Sequence, residues 1–211
     1  MIRSMNLANR ITLGRMVFIP VFLVVLLADL PAAITPEWWR ALQPWIATAI
    51  FVALAATDAV DGYVARSRNE ITTFGKFIDP LADKLLVTAA LVALVGLDKL
   101  PSWVALVIIS RELVVSGLRM VAVAEGRVIA ASNHGKVKTV LQIAAIVGFL
   151  LKGSSILNGF LGGQGQVLFE IASWVLMSAA LIMTIWSMAD YLYSARDILT
   201  GPWDSSPDED A

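Results

Sequence analysis

Cysteine is absent from the 211 residues, which excludes disulfides and thiolate chemistry. Histidine occurs once, as His134, with no companion at metal-ligand spacing, and reads as a surface residue of a connection between apolar segments. Charge is scarce: Asp, Glu, Lys and Arg make up 16% of the chain and the formal net charge is −1. A nucleic-acid partner is excluded on that ground, because such binders need a basic surplus to displace counterions from phosphates. Apolar residues take the place of charge, at 58% of the chain with a mean hydropathy of +0.75. A soluble domain keeps its apolar share near half, so the composition predicts a protein of the bilayer.

Six apolar segments follow one another: Met16 to Leu30, Trp45 to Thr57, Leu85 to Leu97, Trp103 to Val123, Val140 to Leu151 and Val167 to Leu192. They predict an all-α polytopic membrane protein with six transmembrane helices, a membrane domain over 1–199 and a disordered acidic tail over 200–211. No internal repeat interrupts them. Several fall short of the roughly 20 residues that span a hydrocarbon core. The second and third reach spanning length only if their helices run on through Asp58 to Arg66 and Lys76 to Lys84. If both termini face the cytoplasm, the outer connections hold Arg40, Lys99 and Lys152, and the other thirteen of the 16 Lys and Arg lie inside. That asymmetry follows the positive-inside rule, and it places Trp38, Trp39, Trp45 and Trp103 at the outer interface. A cleaved secretory signal over Val17 to Ala28 is the competing reading of the first segment, but an even number of further spans follows it without an obvious cleavage site.

The stretch from Asp58 to Lys84 concentrates four aspartates between two of these segments. At the helical rise per residue, Asp58 lies roughly 20 Å below Trp45 and Asp83 roughly 21 Å below Leu97, so the two carboxylates share a level. Asp58, Asp61, Gly62 and Ala65 follow the i, i+3, i+4, i+7 spacing of one helix face, and Asp79 and Asp83 are one turn apart. Any one of them alone reads better as a solvated helix end. Four together repel unless cations stand between them, and oxygen donors suit hard ions such as Mg2+ or Mn2+, two per site.

These residues carry a resemblance. The pattern D-x2-D-G-x2-A-R-x8-G-x3-D-x3-D, met at Asp58, Asp61, Gly62, Ala65, Arg66, Gly75, Asp79 and Asp83, resembles the signature of the CDP-alcohol phosphatidyltransferase family. With residue frequencies of a few per cent, a chance match at a given start is on the order of 10⁻¹⁰. "NLANRITLGRMVFIPVF", "IISRELVVSGLRMVA" and "ASNHGKVKTVLQ" are similar to the branch of that family that uses glycerol 3-phosphate. The resemblance implies a homodimeric enzyme of the bacterial inner membrane, with six helices around a polar cavity open to the cytoplasm. It implies transfer of a phosphatidyl group from CDP-diacylglycerol to glycerol 3-phosphate, giving phosphatidylglycerophosphate and CMP. By resemblance, Asp58, Asp61 and Asp79 hold two metal ions, Asp83 contacts a metal and acts as general base, and Gly62, Ala65, Arg66 and Gly75 line the CDP site with the metal-binding aspartates.

The acceptor is read from cations elsewhere. Arg119, roughly 24 Å below Trp103 by helical rise and near the aspartate level, can join Lys136 and Lys138 in clamping a phosphate. Membrane anchoring is the plain alternative for the lysines. Arg111 lies about 12 Å from the outer interface. It reads either as an acceptor contact on the side of Arg119 or as the partner of a carboxylate on another helix, Glu112 being adjacent and therefore turned in a different direction. Asn9, Thr12 and Arg15 match polar positions of the family's opening motif and are candidate nucleotide or lipid contacts, or else part of a surface helix. Two further functions stand beside the main one: the same chemistry with inositol phosphate as acceptor, and a divalent-cation transporter. The transporter is disfavoured because such proteins place their sites near the midplane within repeated halves.

Overall fold

The structure is a computed structural model that describes residues 7–28, 35–68, 73–124, 134–194 and 196, with side chains for 13–28, 35–57, 84–122, 137–193 and 196. The described residues form six helices and no strand: α1 (Leu7–Leu27), α2 (Glu37–Arg68), α3 (Thr73–Gly96), α4 (Ser102–Ala124), α5 (His134–Leu151) and α6 (Ser155–Ser194). The all-α expectation holds. The acidic tail over 200–211 lies outside the described residues.

Helices α2 and α3 do run on through the charged stretch, α2 as far as Arg68 and α3 from Thr73. Alanines spaced through "ATDAVDGYVAR" favour the helix strongly enough to carry Gly62, whose interior position costs about 1 kcal/mol. Two stretches read as connections are helical instead. Residues 37–44 belong to α2, started at Pro36, whose carbonyl accepts from the Trp39 and Arg40 amides at 3.0 and 3.4 Å. The glycine-rich stretch after Gly153 belongs to α6 and breaks only at Gly162, whose φ of 65° is a left-handed conformation that suits glycine. His134 likewise opens α5 rather than lying in a connection.

α1 packs on α2 and α3, α3 on α4, α4 on α6, and α5 on α2, α3 and α6. Phe22, Phe51, Leu91, Leu94, Ile108, Ile146, Phe149 and Met177 form the shared core, with the Phe22 and Phe51 rings 5.8 Å apart. Gly148 lets α5 and α6 approach closely, since a Cβ there would stand 2.5 Å from Ser173 Oγ.

One end of the bundle is closed by caps. Gln43 Nε2 donates to the carbonyls of Val25, Leu26 and Ala28 at 2.9, 3.3 and 3.1 Å, satisfying acceptors at the end of α1. Asp98, at φ 54°, ends α3 in a left-handed turn where the Asp98 amide donates to Val95 O and the Lys99 amide to Leu94 O. Lys99 Nζ then donates to Leu150 O at 3.1 Å near the end of α5, and Trp45 Nε1 donates to Ser154 Oγ at 2.9 Å. The ends of α1, α3 and α5 therefore meet the starts of α2, α4 and α6 here, and neighbours in sequence run antiparallel.

The bundle exposes many large apolar side chains and buries a few cations beside its apolar core. Val24, Met120, Leu168 and Trp186 are 67–70% exposed while Arg15, Arg111 and Lys138 are 3–7% exposed. Among the described residues two stretches, Glu37–Thr57 and Ser155–Tyr193, are long and apolar enough to cross a membrane, and Leu13–Leu27, Lys84–Gly96 and Val137–Leu151 are shorter apolar helices.

Candidate active site

Opposite the capped end lie the last turns of α2, the first of α3, the last of α4 and the first of α5. The aspartate signature falls there. Asp58, Asp61, Gly62, Ala65 and Arg66 are helical positions of α2, and Gly75, Asp79 and Asp83 are helical positions of α3. The two helices pack on each other. The side chains of these residues lie outside the described set, as do those of Asn9, Thr12 and Lys136.

Several described side chains of this half form one ionic network. Glu112 Oε1 accepts from Arg111 Nη1 at 3.0 Å and from Lys138 Nζ, which reaches across from α5. Arg111 Nη2 donates to Ser187 Oγ of α6 at 2.6 Å, and the guanidinium carbon stands 5.7 Å from the centre of the Tyr191 ring. Ser116, one turn beyond Glu112, donates to the Glu112 carbonyl and accepts from Lys84 Nζ of α3. Side chains from four helices are thereby joined, and Lys84 directly follows Asp83 in the chain.

This arrangement corrects one expectation and divides another. Adjacent residues on a helix point about 100° apart, yet Arg111 and Glu112 do meet, because both side chains are long enough for the guanidinium to reach the carboxylate that also accepts from Lys138. Arg111 pairs with a carboxylate, but with that of its neighbour Glu112 on α4 rather than with one on another helix. Arg111 and Lys138 come together, whereas Arg119 is exposed and makes no contact with this network among the described residues. Arg15 is buried. Lys84, Ser116, Ser187 and Tyr191 were not singled out from sequence. The available signals were the one-turn spacing of Glu112 with Ser116 and of Ser187 with Tyr191, together with Lys84 beside Asp83.

Residues 5–186 match the sequence profile of the CDP-alcohol phosphatidyltransferase family. The chain belongs to that family. A Bacillus subtilis CDP-diacylglycerol–glycerol-3-phosphate 3-phosphatidyltransferase is 48% identical over 155 residues, covering 69% of this chain and 77% of its own. A Mycobacterium tuberculosis protein named "Probable phosphatidylglycerophosphate synthase" is 40% identical over 197 residues, 93% of this chain and 85% of its own. A Haemophilus influenzae CDP-diacylglycerol–glycerol-3-phosphate 3-phosphatidyltransferase is 36% identical over 199 residues, 92% and 95% of the two chains.

The signature aspartates are of the residue type that hard divalent cations prefer. Two packed helices each carry two aspartates one turn apart, offering only oxygen donors. Among the described residues no group of three or more His, Cys, Asp and Glu forms a candidate metal site.

Proposed function

We propose that the chain transfers a phosphatidyl group from CDP-diacylglycerol to sn-glycerol 3-phosphate, releasing CMP. The observation that carries this reading is the aspartate signature, all of whose specified positions are helical in two packed helices, in a chain whose relatives bear that activity's name along most of its length.

The reaction joins the acceptor hydroxyl oxygen to the phosphorus bearing diacylglycerol and breaks the bond from that phosphorus to the CMP oxygen. Asp83 takes the hydroxyl proton, as a general base within hydrogen-bond reach of the nucleophile does. Asp58, Asp61, Asp79 and Asp83 would hold the Mg2+ or Mn2+ ions, and Gly62, Ala65, Arg66 and Gly75 would line the CDP. Bound there, two divalent ions supply neutralisation of the diphosphate and stabilisation of the leaving phosphate. Arg111 and Lys138, with Arg119 and Lys136 toward the opening, orient the acceptor through its phosphate, a dianion well matched to guanidinium and ammonium donors. Arg111 and Lys138, buried together at Glu112, are cations of the kind that recognise an anionic acceptor.

Six membrane-spanning helices, an active site facing the cytoplasm and a homodimer complete the proposal. The apolar exterior supports the bilayer setting, since buried cations beneath such a surface suit a chain solvated by lipid. The test is the lipid product formed by purified protein from CDP-diacylglycerol and Mg2+ or Mn2+, with glycerol 3-phosphate, inositol phosphate and serine offered separately. Phosphatidylglycerophosphate from the first alone is expected. Product from inositol phosphate instead moves the acceptor, and no lipid product from any of the three overturns the reading.

A further inference from the structure

We propose that Glu112 is a positioning residue for the acceptor pocket, one that fixes Arg111 and Lys138 relative to each other and to the helix carrying Asp79 and Asp83. The inference rests on the acceptor reading above and deepens it.

A single oxygen, Glu112 Oε1, holds cations from two helices, Arg111 of α4 and Lys138 of α5. Both cations are buried, at 7% and 3% exposure, so neither is relieved by water. Like charges this close repel, and the carboxylate that both contact offsets that repulsion. The guanidinium is fixed behind by Ser187 Oγ and the Tyr191 ring, so its Glu112 contact decides which way its remaining donors face. Arg111 Nε, buried, makes no hydrogen bond among the described residues. The same turn of α4 reaches the aspartate helix, because Ser116 bridges the Glu112 carbonyl and Lys84, the residue after Asp83. Glu112 thus stands where the acceptor cations and the reacting end of α3 are held in one register. It acts through Arg111 and Lys138 and needs no contact with substrate.

The test is steady-state kinetics of Glu112→Gln, which keeps the shape and removes the charge, and Glu112→Asp, which keeps the charge and shortens the reach. Thermal unfolding in detergent is measured alongside. For Glu112→Gln the apparent KM for glycerol 3-phosphate is expected to rise roughly tenfold or more, with that for CDP-diacylglycerol within about twofold. Glu112→Asp is expected to fall between that variant and the parent. An unchanged glycerol 3-phosphate KM in folded Glu112→Gln overturns the proposal. Equal losses for both substrates overturn it too, since they mark a structural role alone. Where Glu112→Gln does not fold, Glu112→Asp decides by the same split, and failure of both to fold overturns the positioning role. A parent chain that forms no lipid product with glycerol 3-phosphate fails the acceptor reading itself and takes this proposal with it, whereas an active parent with an indifferent Glu112→Gln fails this proposal alone.

Discussion

At one end of the bundle Gln43, Trp45 and Lys99 donate to backbone carbonyls and a serine, while at the other Arg111, Lys138 and Lys84 converge on Glu112 and its turn. The first set satisfies groups that any antiparallel helix connection leaves over. The second buries charge, which costs the fold desolvation and repays it only in part through pairing. Among the described residues that charge gathers beside the helix that carries Asp79 and Asp83, which supports reading the second end as the working one. Changes there should alter chemistry more than stability, and changes at the capped end or in the midsection the reverse.

The largest expected effect is at the working end. Asp83→Asn should lower turnover about 10³-fold, within the usual contribution of a general base, with CDP-diacylglycerol binding retained. Near-normal CMP release from that variant removes Asp83 from the role. Next, Arg111→Ala should raise the glycerol 3-phosphate KM roughly 10- to 100-fold, as loss of a charged hydrogen bond does. It should also lower the melting temperature, because Ser187 and Glu112 lose a buried partner. Gly148→Val, midway along the α5–α6 contact, should cost about 1–3 kcal/mol of stability by overpacking against Ser173. Its substrate KM values should stay put, and a selective change in either one breaks the division between the two ends.

The smallest effect belongs to Lys99 at the capped end. Burial, and then the neighbouring charge of Lys152, push its amine below the ordinary lysine value of 10.5. The unfolded chain therefore binds more protons at this site between the depressed value and 10.5, so stability should rise with pH across that window. This gain is complete above 10.5 and lost as pH falls through the folded value. Replacing Lys99 with Gln should flatten the rise, read as melting temperature against pH, and leave the KM for glycerol 3-phosphate unchanged.

Much of this division was legible in the sequence. Apolar segments too short to span forced α2 and α3 through the aspartates, and the signature put all eight specified residues at one end. Helical periodicity gave the spacing but failed for Arg111 and Glu112, because periodicity describes Cβ directions and long side chains reach well beyond them. The link from Lys84 to Ser116 joins residues 32 apart, and the link from Arg111 to Ser187 joins residues 76 apart. Only packing of α3, α4 and α6 creates such contacts, so no local pattern announces them. The extent of α6 was hidden by its glycines, which resemble a loop in composition although only Gly162 adopts a non-helical conformation.

The most direct measurement is CMP release by the purified chain from CDP-diacylglycerol, with and without glycerol 3-phosphate and with and without Mg2+ or Mn2+. The account predicts release only when acceptor and divalent ion are both present. Release without acceptor, or undiminished release after chelation, would contradict it.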